Sequence, residues 1–296
     1  MAYLTGELRK VTRTTKLEAR HKRALDQMRL AVSETDALTQ LFHVLDDGSV
    51  EPTPEALGAL LREMSQDAVQ SVLVWIGQLR HPRAKAALVR SLEAYFLESP
   101  SSLEPMTTAS DRAVVQRAVA IAGKLQNPDF AEPVAKALEH RDPGTRRLAV
   151  SALSSIGTPA ALKLAARAVE DEDSEVRMTA FEAFTQRPFR GVARPLASYL
   201  TTRDLEALDL SERRVLFAAF AASHGPAGVP TLETVLLAKG GLARRPSSQT
   251  RACAALALGM IDSPTARFAL EAATKEKDAL VRSAAGAALK REGLAS

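Results

Sequence analysis

Chemistry needs side chains that converge, so the first residues to weigh are the histidines, the single cysteine and the clusters of acid and base. His21, His43, His81, His140 and His224 are scattered along the chain. None forms an i,i+4 pair, none stands beside a cysteine, and no paired carboxylates sit at ligand spacing, so neither a metal nor a cofactor is expected. His140-Arg141-Asp142 spells the catalytic triplet of protein kinases. No Gly-rich loop, strand Lys or Asp-Phe-Gly accompanies it, so the match carries no phosphoryl-transfer chemistry. Cys253 lies in an apolar helical pattern, where a packed thiol is the expected state. The acidic run Glu170 to Glu175 lacks the alternation and the Gly of a calcium loop and reads as a solvated turn. No catalytic residue is nominated, and the expectation is a protein that is not an enzyme.

The strongest charge feature is at the N-terminus. Residues 1–30 hold eight Lys/Arg, among them Arg9, Lys10, Arg13, Lys16, Arg20, Lys22 and Arg23, against Glu7, Glu18 and Asp26. That segment carries +5 of a total of +4, so the rest of the chain sums to −1. Such a basic patch can hold a nucleic acid or an anionic surface by a salt-sensitive, sequence-blind attraction. Tyr3 is its only aromatic residue, which argues against base stacking. The apolar runs elsewhere are short and interrupted, so no transmembrane segment is expected, and a single cysteine in 296 residues reads as cytoplasmic.

The elements that would position any site are legible in a repeat. "TRRLAVSALSSIGTP" (Thr145 to Pro159) and "TRACAALALGMIDSP" (Thr250 to Pro264) agree at seven of fifteen positions. The shared residues advance by threes and fours, which is one face of an α-helix stopped by a proline. Further copies follow Arg177, Arg213 and Arg282, with small or aliphatic residues at three, six and seven beyond the Arg. Looser copies without the Arg run through Val72, Trp75, Ile76 and Leu79, and through Ala118, Ile121, Ala122 and Leu125. Between Pro159 and Arg177 lies a second apolar stretch at helical period, so each unit is a helix, a tight turn and a second helix. An Asp stands four before the Arg in Asp142/Arg146, Asp173/Arg177, Asp209/Arg213 and Asp278/Arg282. It can cap the second helix, while the Arg can reach back to it or build a ladder between repeats. Aromatics are only 4% of the chain, so small aliphatic residues must do the packing and let helices approach closely.

In these residues the sequence resembles the HEAT repeats, specifically the short, Ala-rich subtype of phycobilisome lyase-like proteins. "DEDSEVRMTAFEAF" (Asp171 to Phe184) matches best, then "DPGTRRLAVSAL" and "DALVRSAAGAAL". The resemblance implies an all-α, right-handed α-solenoid of about seven hairpins, at about 54–80, 83–126, 130–157, 160–186, 190–223, 229–261 and 265–291. Residues 1–50 form a basic segment and a capping helix on this reading, and 51–296 the solenoid. Glu98 to Asp111 and Lys239 to Gln249, rich in Gly, Pro or Ser, are expected as protruding loops.

Solenoids bind other proteins along extended concave faces lined by second helices. The polar positions one, five and nine beyond each anchoring Arg should project there: Arg147, Ser151 and Ser155; Met178, Glu182 and Gln186; and Arg214. The expected function is a scaffold that grips a protein partner. A DNA alkylation-repeat type of nucleic-acid binder, using the basic N-terminus, and a bilin lyase-like repeat enzyme are the alternatives that the resemblance carries. The near-neutral repeat body and the lone Trp75 at a packing position argue against the former, and no residue specifies a tetrapyrrole site for the latter.

Overall fold

The computed structural model describes residues 19–202, 205–238 and 245–295, and among these every regular element is helical. The described residues divide between two compact units that part between Glu139 and His140.

The first unit opens with α1 (Ala19–Ser33) and α2 (Thr35–Asp46). Leu38 and Leu45 of α2 are buried, and its last residue, Asp46, accepts the Arg80 backbone N–H at 2.6 Å and the Arg80 guanidinium at 2.9 Å. The first hairpin follows as α3 (Pro54–Leu61) and α4 (Gln66–Gln78), capped by Thr53 and Ser65. α5 (Pro82–Glu98) starts at a proline, as the missing N–H there has no intrahelical partner to lose. α5 packs on α3, and α7 (Arg112–Leu125) packs on α4, so first helices stack on first and second on second. Trp75 is half-buried, its ring 5.5 Å from Phe42.

The connector Glu98 to Asp111 is not the protruding loop its composition suggests. Pro100–Leu103 form a 3₁₀ turn and Glu104–Thr107 a short helix, α6, with Leu103 and Met106 fully buried against α7 and the following α8 (Ala131–Lys136). Two apolar residues three apart were enough to dock it, and the flanking Ser and Pro residues mask that signal. The second connector lies largely outside the described residues.

The second unit holds α9 (Pro143–Ile156), α10 (Pro159–Ala165), α11 (Ser174–Gln186), α12 (Ala193–Thr202), α13 (Leu210–His224), α14 (Val229–Leu236), α15 (Ser248–Leu258), α16 (Pro264–Ala273) and α17 (Ala279–Ala295). Second helices form a continuous layer, α9 on α11, α11 on α13, α13 on α15 and α15 on α17, with α12, α14 and α16 each against its own partner, while α10 packs on α9 and its 3₁₀ continuation Ala166–Glu170 on α11. The expected all-α stack of helical hairpins is therefore the fold class. The shared face of the two quoted stretches is the buried one: Thr145, Arg146, Ala149, Ala152, Leu153 and Ile156 on α9 are matched by Thr250, Arg251, Ala254, Ala257, Leu258 and Ile261 at α15, all buried. Small residues do permit close approach, for a Cβ on Gly259 would lie 2.6 Å from the Ala288 Cβ.

Leu210–Leu236 is apolar and long enough to span a bilayer by composition, but it is two helices joined by the 3₁₀ turn Gly225–Gly228, and half of it is buried.

Candidate functional site

The arginines of the repeat do not bind the carboxylates that precede them. Those carboxylates cap: Asp142 accepts the Thr145 N–H at 2.8 Å, Asp173 those of Glu175 and Val176, Asp209 that of Glu212, and Asp278 those of Leu280 and Val281. Each Arg reaches elsewhere. Arg146 donates through Nη1 to the carbonyls of His140 and Arg141 in its own turn, and through Nε and Nη2 to both oxygens of Asp171 in the next, each at 2.8 Å. Arg177 repeats this on the carbonyls of Asp171 and Glu172 and on Glu212, 2.5 Å away. Arg282 takes the carbonyls of Glu276 and Lys277. The capping Asp oxygens are held by backbone N–H groups, whereas for Arg146 the neighbouring turn presents Asp171 in bidentate geometry.

Arg213 enters a denser network. Its Nη1 donates to Glu206 Oε2 at 2.8 Å and to Thr250 Oγ1 at 2.7 Å, while Glu206 Oε1 accepts the Ser247 N–H and the Thr250 hydroxyl. Arg251, almost wholly buried, binds the Leu236 carbonyl and Glu276. These five arginines are structural ties.

What remains exposed on the second helices is a different set. Ser151, Ser155, Glu182, Gln186 and Arg214 line two adjoining grooves in the second unit. One, of about 250 Å³, runs between α9 and α11 and is completed by Ser154, Thr179 and Arg187. The other, of about 380 Å³, runs between α11 and α13 and is completed by Thr185, Ser211, Val215 and Ala218. Glu182 and Gln186 belong to both. The side chains of Glu182, Gln186, Arg187 and Arg214 have no hydrogen bond or ion pair among the described residues. The expected residues Arg147 and Met178 stand apart from the grooves. Arg147 forms an exposed pair with Glu175 at 3.5 Å, and Met178 is half-buried.

Sequence reasoning missed Arg187, which follows its helix instead of lying on the one-five-nine pattern. Gly157 positions it. That residue ends α9 with φ +68°, and a Cβ there would sit 2.1 Å from Arg187 Nη1. The guanidinium rests over the C-terminus of α9, where the helix dipole favours a cation.

The other candidates are structural. His81 Nδ1 accepts the Ala84 N–H at the start of α5, and His140 Nδ1 accepts that of Asp142. His224 stacks on Phe220 with ring centres 3.9 Å apart. Cys253 is buried, and burial pushes its thiol pKa up. Among the described residues no three of His, Cys, Asp and Glu gather as a metal site. Of the basic patch, Arg9, Lys10, Arg13 and Lys16 lie outside the described residues, as do the side chains of Arg20 and Lys22, while Arg23 is exposed on α1. A cleft in the first unit, about 420 Å³, is lined by Pro52, Pro54, Pro82 and Arg90, with Arg83 bound to Glu51.

Among solved structures, the chain is similar to human deoxyhypusine hydroxylase in complex with glycerol, at 16% identity over 93% of this chain and 99% of that one, with a TM-score of 0.34. It is also similar to two engineered proteins. One is 16% identical over 90% of this chain and 77% of that one, with a TM-score of 0.41. The other is 18% identical over 81% and 96%, with a TM-score of 0.34. No curated protein matches the chain. Residues 100–204 match the family model described as HEAT repeats.

Proposed function

We propose that this chain is a non-enzymatic scaffold that binds a protein partner on the second-helix face of residues 140–296. The supporting observation is a contrast within single helices. Arg146, Arg177 and Arg251 tie α9, α11 and α15 to the following repeat by ion pairs, and Arg213 of α13 holds Glu206 of its own repeat and Thr250 of the next. Glu182 and Gln186 of α11, Arg187 just past its end and Arg214 of α13 are exposed, their side chains without partners among the described residues, in two adjoining grooves. Polar groups left unpaired at the surface are available for recognition, and extended repeat surfaces use them this way.

The test is capture of a partner from nuclease-treated lysate of the native cell, with the tagged full chain beside the double variant Glu182→Lys/Arg214→Glu. The expected result is a protein retained by the native chain and lost with the variant, at unchanged helicity and melting temperature. Equal retention by both would move the binding site off this face.

A further inference from the structure

Resting on that reading, we infer that the paired grooves select an extended polypeptide segment whose alternate side chains run acid, base, acid. The geometry of three unpaired ions carries this. Arg187, Glu182 and Arg214 cross the second-helix layer obliquely, from the C-terminal end of α9, where Arg187 lies over Gly157, through the later half of α11, to the first turn and a half of α13. The order of charge along that line is plus, minus, plus.

Among the described residues the side chains of these three are free where their neighbours are tied. Arg146, Arg177 and Arg213 on the same helices each hold a carboxylate, and Arg147 holds Glu175. Glu182 pairs with neither flanking Arg. Between Arg187 and Glu182 the floor is hydroxyl and amide, from Ser151, Ser154, Ser155, Thr179 and Gln186, while between Glu182 and Arg214 it carries Thr185, Val215 and Ala218. The polar part can hydrogen-bond a main chain.

A strand suits this layout because its alternate side chains point the same way, roughly 6.5–7 Å apart. Arg187 stands five residues beyond Glu182, one past the end of α11. Helices that pack as α11 and α13 do lie about 8–10 Å apart, a span that the long side chains of Arg214 and a Glu can close. A helical ligand would space like-facing residues by three or four and fits the order less well.

The experiment uses fluorescein-labelled, amidated peptides and the full-length chain at low salt, read by anisotropy. The probe is Gly-Glu-Ser-Lys-Ser-Glu-Gly. Its controls are the reordered Gly-Lys-Ser-Glu-Ser-Glu-Gly and the reversed Gly-Lys-Ser-Glu-Ser-Lys-Gly. The expected result is roughly tenfold tighter binding of the probe than of either control, the sum of three partly exposed pairs. Glu182→Lys, at an exposed position, should abolish the preference over the reordered control, which has the same composition, and Arg214→Glu should weaken the probe several-fold. Equal binding of all three peptides, or a preference over the reordered control that survives Glu182→Lys, would overturn the inference. Binding of none of them, with a protein partner still captured through Glu182 and Arg214, would overturn the charge order and leave the scaffold reading standing.

Discussion

Arg146 and Asp171 belong to successive hairpins and are joined by two parallel 2.8 Å hydrogen bonds, Nε to Oδ2 and Nη2 to Oδ1. The third nitrogen of the same guanidinium, Nη1, holds two carbonyls of its own turn. One side chain thus closes a turn and fastens it to the next. Arg146→Met keeps much of the apolar stem but orphans a carboxylate and two carbonyls. A loss of about 2 kcal/mol is expected from hydrogen bonds to charged groups, measured by urea unfolding. A double-mutant cycle with Asp171→Asn should show coupling, since the pair acts as a unit.

Asp142 caps α9 through the Thr145 N–H and hydroxyl. Replacing it with Ala should cost about 1 kcal/mol, and with Asn only a fraction of that, because Asn is an equally good cap. Thermal melts of the two variants distinguish a capping role from an ionic one, which would penalise both.

Gly157 sits at φ +68° beneath Arg187. Gly157→Ala forces an L side chain into the left-handed region and should cost about 1 kcal/mol. It must also push the guanidinium aside, so peptide binding to the neighbouring groove should weaken by more than stability alone explains. Anisotropy at a temperature well below the melt separates the two effects.

Two acid-sensitive windows are expected. Burial pulls the pKa of His224 below its ordinary 6.5, against the opposing pull of the Phe220 carbonyl. The unfolded chain therefore takes up this proton first, and stability should fall as pH drops from about 6.5 through the lower folded value. His224→Gln should flatten that slope. The second window belongs to carboxylates held low: Asp209 by the Glu212 N–H, Glu276 by Arg251 and Asp278 by Ser248. At Glu206 burial pushes upward, but the Ser247 N–H and Thr250 hydroxyl prevail. Their contribution is complete above the ordinary carboxylate range and is lost as pH falls through their lowered values. Denaturant midpoints across pH resolve both windows.

Cys253 packs in α15 with its thiol pKa raised by burial. Ellman's reagent should leave it unmodified in the native chain and react with it promptly in denaturant, since the thiolate is the reactive form.

Much of the fold could be read from spacing because helix faces and caps are local. Thr, Arg, Ala and Leu at threes and fours specify a buried stripe whatever lies opposite. Asp142, Asp173, Asp209 and Asp278 cap helices a few residues away. Ser151, Ser155, Glu182, Gln186 and Arg214 were reachable as a shared face by counting from each Arg. Arg187 was not, because its place depends on Gly157 thirty residues earlier. Nor was the burial of Leu103 and Met106, which short-range composition assigns to a loop.

The sequence by itself determined the repeating hairpin, the identity of its buried face and the caps that begin its second helices, since each rests on contacts within one or two turns of chain. Only the tertiary structure decided which acid each arginine meets. Arg146 passes over its own capping Asp142 for Asp171, and Arg177 reaches Glu212, 35 residues on. The same stacking of α9, α11 and α13 brings Ser151, Glu182 and Arg214 to adjoining grooves. Those pairings follow from how helices distant in sequence settle against one another, and no local pattern encodes that approach.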